Sequence, residues 1–131
     1  MTDERRKYRR VSGRVRIIYK IAGEAEERSV YSVDVSAGGF CLGLDSVQKQ
    51  DTILELLVYL PDKDKPFLCM GKVTWQKSHG TKGSDGKIYF DTGVKFENLD
   101  LKNRLRLIYY VHGKMKKAGI DASNVGKNEK S

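Results

Sequence analysis

The sequence has no apolar run of the roughly 20 residues that a membrane helix needs. Its longest, Ile53 to Leu60, is interrupted by Glu55 and has the length of a buried strand. Cysteine and histidine are scarce: Cys41 and Cys69 sit in apolar, strand-like runs, and His79 and His112 lie far from both. That spacing excludes a zinc site and leaves the thiols as reduced packing groups. No apolar segment follows the charged stretch Met1 to Arg10, so a secretory leader is not expected and a cytoplasmic location is. Also missing are a nucleophile placed beside a base and any clustered carboxylates. The chain therefore reads as a binding protein without a cofactor, not as an enzyme.

One further absence concerns Gly80 to Lys87, which superficially resembles a phosphate loop. Five residues separate Gly80 from Gly86 where four are needed, and Ile88 follows the lysine in place of Ser or Thr. It reads as a flexible hairpin connection.

What the sequence does have is positive charge. Its 25 Lys and Arg against 17 Asp and Glu give a net charge of +8, which favours anionic partners. A length of 131 residues points to one domain with one core.

Period-2 patterning recurs along it. Val15, Ile17 and Tyr19 alternate with Arg14, Arg16 and Lys20, and Tyr31, Val33 and Val35 with Val30, Ser32 and Asp34. Phe40, Leu42 and Leu44 form a third set, and Leu54 to Leu60 a fourth that stops at the Pro61-Asp62 turn signal. Phe67, Cys69, Val73 and Trp75 mark a fifth, and Ile88 to Phe96 a sixth. Six strands joined by short turns predict a barrel. From Asn98 the period becomes helical: Leu101, Leu105, Ile108 and His112 share one face, with Asn98 or Asp100 available as the cap. Residues 1–13 read as a flexible arginine-rich arm, 14–118 as barrel plus closing helix, and 119–131 as a disordered tail.

Two features carry candidate chemistry. Arg5-Arg6-Lys7-Tyr8-Arg9-Arg10 concentrates guanidinium forks, which match phosphate oxygens and the guanine O6/N7 edge; alternatively it is a solvated basic terminus. In Asp34-Val35-Ser36-Ala37-Gly38-Gly39, the carboxylate can accept paired guanine N–H groups, the hydroxyl can bond phosphate or base, and glycine admits close approach. The alternative is a turn in which Asp34 and Ser36 cap local amides and Gly39 supplies a positive φ.

The combination of Arg6-x-x-x-Arg10 with Asp34-x-Ser36-x-x-Gly39 on six strands and a helix resembles the PilZ family of cyclic di-GMP receptors, defined by RxxxR and D/N-x-S-x-x-G. The resemblance runs from Glu4 to about His112, takes in Gly71 to Trp75 and Thr92 to Phe96, and matches both motifs without substitution. It implies an all-β fold, a six-stranded antiparallel PilZ-type β-barrel with one C-terminal α-helix, and a ligand-triggered change of shape signalled to a partner protein. It also implies that Arg6 and Arg10 wrap over the phosphates and guanine edges while Asp34, Ser36 and Gly39 form the set on the barrel, with Arg5 and Arg9 auxiliary. Arginine just before the motif pair, here Arg5, is similar to members that hold an intercalated ligand dimer, which implies two molecules of cyclic di-GMP per chain.

Two other readings stay open. A small basic barrel binding RNA or single-stranded nucleic acid would use the arm and Lys114, Lys116 and Lys117, with Tyr59 and Tyr89 as candidate stacking residues. A PilZ-like adaptor without ligand would bind only protein, though such members usually lack the motif residues present here. Trp75 reads as a packing residue at the core or barrel rim.

Overall fold

The computed structural model describes residues 11–12, 14–62 and 64–117, the side chains of residues 12 and 115–117 excepted. The elements are β1 (Val11–Ser12), β2 (Arg16–Ile21), β3 (Glu27–Ser36), β4 (Gly39–Leu44), β5 (Ile53–Tyr59), β6 (Phe67–Gln76), β7 (Thr81–Lys82), β8 (Ile88–Phe96) and α1 (Leu101–Lys117). The six long strands close into an antiparallel barrel in the order β2, β5, β6, β8, β4, β3 and back to β2. These are the six strands that the alternation predicts. Two short strands are added: β1 pairs with β3, and β7 with β8.

Alternation explains which way each strand faces. Val15, Ile17 and Tyr19 point inward with Leu54, Leu56 and Val58 from β5, and the intervening Arg16 is exposed. Phe40 and Phe96 meet edge to face at 4.7 Å in the middle of the core. The turn out of β2 uses Gly23, whose φ of 90° suits a residue without a side chain.

Asp100 begins the helix: the Asn103 amide donates to its Oδ1 at 3.0 Å. Asn98, the other candidate cap, instead accepts from the Met70 amide at 2.7 Å and ties the helix approach to β6. The buried face of α1 differs from the predicted one. Leu107 and Val111 enter the core, with Ile108 and Tyr110 packed at its margin, whereas Leu101, Leu105 and His112 face outward. Two stripes coexist at helical spacing, and the inward one includes Arg104, a cation that conceals its apolar character in the sequence. Among the described residues no helix is long and apolar enough to cross a membrane.

Candidate functional site

The segment from Asp34 to Gly39 is where β3 hands over to β4, and it is fixed by bonds from several directions. Ser36 Oγ accepts from the Gly38 amide at 3.1 Å and donates to the Gly39 carbonyl at 3.3 Å. Phe96 of β8 donates its amide to the Gly38 carbonyl at 3.0 Å. From the helix, Arg104 Nη1 donates to the Ala37 carbonyl at 2.7 Å, a charge-assisted bond of the stronger kind. Asp34 Oδ1 accepts from the Cys41 amide at 3.2 Å, across the register shift between β3 and β4. Ser36 is buried and Asp34 half-buried.

Gly39 is required for a different reason from the one the turn chemistry suggests. Positive φ occurs at Gly23, Gly86 and Asp51 among the described residues, and Gly39 is not one of them. Instead β8 crosses so closely that a Cβ on Gly39 would run into the Val94 carbonyl oxygen. The absence of a side chain, rather than backbone freedom, lets the motif turn lie against β8.

The register then sets what surrounds the turn. Ser12 pairs with Asp34, Asp34 with Cys41, Cys41 with Gly93, and Gly93 with Trp75, a row that runs across β1, β3, β4, β8 and β6. A Cβ on Gly93 would strike the indole, so Trp75 lies over β8 at that glycine. Trp75 is therefore half-buried on the same row as Asp34. The arm residues Arg5, Arg6, Arg9 and Arg10 lie outside the described residues. Val11, which follows Arg10 directly, pairs with Val35, between Asp34 and Ser36. The structure thus brings Asp34, Ser36 and Gly39 together and begins β1 beside them.

Arg104 and the placement of Trp75 escape the sequence reading. Arg104 could have been found as a cation three and seven residues before Leu107 and Val111, where a solvated charge has no place. Trp75 needs the pairing of β6 with β8, which no local pattern supplies.

Ionisable groups elsewhere serve the fold. Burial, reinforced by the Asp45 charge, pushes Tyr19 up to about 12, and Arg28 opposes the shift. Burial pushes Cys69 up to about 12, with a smaller contribution from Asp100, so it stays a thiol at neutral pH. Among the described residues no group of three or more His, Cys, Asp or Glu is placed to hold a metal ion.

No curated protein sequence gives a significant match. The chain is similar in structure to the Bacillus subtilis inhibitor of motility MotI/DgrA, with a TM-score of 0.68 and 19% identity, covering 86% of this chain and 52% of that one. It is similar to the PilZ domain of Escherichia coli YcgR, solved with c-di-GMP, with a TM-score of 0.65 and 13% identity, covering 87% of this chain and 94% of that one. K. pneumonia MrkH in complex with c-di-GMP gives a TM-score of 0.66 at 15% identity, covering 88% and 54%. The chain thus spans about half the length of MotI and MrkH. Such identities speak for the fold. The sequence itself is matched by the family model for the PilZ domain over residues 4–113, and with the barrel, the helix and the motif turn in place the chain belongs to the PilZ domain family.

Proposed function

We propose that the chain is a cyclic di-GMP receptor that works by binding and not by catalysis, in the cytoplasm and without a cofactor. The observation that carries this reading is the fastened Asp34–Gly39 turn with β1 paired to it directly after Arg10. A diguanylate presents two phosphates and two guanine edges, and guanidinium forks beside a carboxylate and a hydroxyl suit both. In this reading Arg6 and Arg10 clasp the phosphates and guanine edges, assisted by Arg5 and Arg9, while Asp34, Ser36 and Gly39 form the floor. The structurally similar YcgR PilZ domain and MrkH, both solved with c-di-GMP, support it.

Ligand binding then reorders the arm over the barrel and changes the surface offered to a partner protein; the arm that moves is residues 1–10, shorter than the expected 1–13 because Val11 and Ser12 are already paired with β3. Arg5 adds a charge that would offset a second ligand's phosphates, giving two molecules per chain.

Isothermal titration with cyclic di-GMP beside GTP and a short single-stranded RNA tests the reading. Saturable binding of cyclic di-GMP alone, lost in Arg10→Ala, is the expected result, and Trp75 fluorescence should follow the same curve. Salt-sensitive RNA binding in its place would overturn it. An unchanged ligand count in Arg5→Ala would remove that residue from the second site. The nucleic-acid reading draws little from the geometry, because the register puts Tyr59 and Tyr89 at opposite ends of the barrel and assembles no stacking row between them.

A further inference from the structure

The outward face of α1 is apolar where a helix on a barrel is ordinarily polar. Leu101 is 71% exposed, Leu105 40% and Tyr109 71%, one turn apart along a single stripe. Beside the stripe a groove of about 720 Å³ runs between the helix and the β5–β6 turn, floored by Leu60, Pro61 and Tyr110. Arg106 holds the groove open: its Nε and Nη2 grip Asp62 at 3.0 and 2.8 Å and its guanidinium lies over Phe67. That pairing offsets the Asp62 charge and holds its carboxyl below the usual carboxylate range, while Asp64, 3.7 Å from Arg106 Nε, is the rim's second carboxylate. Lys102 on the other side is exposed and has no ion pair among the described residues.

Charge decides among the occupants. α1 contains Lys102, Arg104, Arg106, Lys114, Lys116 and Lys117 and no carboxylate. A second copy packing through this face would set an all-cationic helix against its equal. Residues 118–131 offer Ile120 and Val125 as their large apolar side chains, too few to fill a stripe of three. A bilayer is flat on this scale and would leave the groove empty. We infer that this face docks an acidic amphipathic helix of a partner protein, whose apolar residues at i and i+4 enter the groove between Leu101, Leu105 and Tyr109 while its carboxylates meet Lys102. The inference is independent of the nucleotide reading.

The test uses the full chain, ¹⁵N-labelled, with a synthetic helix built of leucine at i, i+4 and glutamate elsewhere, and a second in which lysine replaces every glutamate. The glutamate helix should bind saturably and at least tenfold more tightly than the lysine one, with amide shifts gathered on residues 60–62 and 101–110. Leu105→Asp should weaken that binding by tenfold or more, and Lys102→Glu by several-fold. Circular dichroism and a cyclic di-GMP titration on the same samples report folding and the nucleotide site separately. Equal binding of both helices, shifts elsewhere on the barrel, or an inert Leu105→Asp would overturn the inference. So would phosphatidylglycerol vesicles binding where the peptide does not, or self-association in sedimentation that Leu105→Asp removes.

Discussion

Two turns of similar composition differ in what holds them. Ser36-Ala37-Gly38-Gly39 joins β3 to β4, and Gly83-Ser84-Asp85-Gly86 lies between β7 and β8. The second closes on itself: Gly83 donates to the Lys87 carbonyl, Gly86 to the Gly83 carbonyl, and the Lys87 amide to Asp85. Its Gly86 has a φ of 82° with open space around it, so the glycine there supplies a backbone conformation. The first turn is closed by Ser36 Oγ and is also held from outside, by Phe96 of β8 and Arg104 of α1, and its Gly39 supplies room. A turn stabilised by its neighbours keeps its shape when the residues on it engage a ligand.

Alanine at the two glycines should separate the two turns most sharply. Gly39→Ala forces a methyl group against the β8 backbone and is expected to cost about 3 kcal/mol or more, read as a lowered urea midpoint together with loss of nucleotide binding. Were Gly86→Ala to cost as much, the contrast would collapse. That change strains φ alone, and the expected loss is about 1 kcal/mol with nucleotide binding intact.

Between these magnitudes falls a test of β4's other end. There Tyr19 donates to Asp45 and Arg28 pairs with the same carboxylate at 3.1 Å. Tyr19 holds its proton more tightly folded than unfolded, its value rising from 10.0 to about 12. Its contribution is therefore complete below pH 10 and is lost as the pH climbs from 10 towards 12, a loss of about 2 kcal/mol. Cys69 acts in the same direction from pH 9 upward. Urea unfolding of the parent and Tyr19→Phe at pH 8 and pH 11.5 should show a smaller decline in the variant.

Arg104→Met keeps much of the stem and removes the bond to Ala37, for an expected loss of about 2 kcal/mol, close to the alkaline effect. Its distinguishing mark is local: hydrogen exchange at Gly38 and Phe96 should accelerate more than at Leu56 or Val58. Uniform acceleration would mean that Arg104 supports the whole barrel and not the turn.

The barrel was legible because its strands obey a period of two and bury one face, so Ile17, Leu56 and Phe40 announce their direction. The motif turn was legible as a cluster of residue types. How it is held was not, since Arg104 and Phe96 reach it only after the chain has closed. The helix face misled for a related reason. Leu101 and Leu105 start an apolar stripe without a cation, whereas the stripe that packs inward, with Leu107 and Val111, also carries Arg104, which reaches a backbone acceptor. Of the two roles open to Gly39, close approach and a positive φ, the first is nearer, though what approaches is the β8 backbone.

The two-residue pairing of β1 with β3 has a consequence for affinity that concerns distance alone. With Val11 anchored at Val35, Arg10 is one residue from the anchor and Arg6 five. A chain reaches at most about 3.6 Å per residue, so the Cα of every arginine from 6 to 10 is confined within roughly 18 Å of the Val11 Cα, whatever path the segment takes. In the proposed site, that confinement would present them to an anion on the turn at an effective concentration in the millimolar range or above. In the proposed receptor, two backbone pairs thus shorten the tether between arm and floor, leaving the ligand as the one component that has to be found by diffusion.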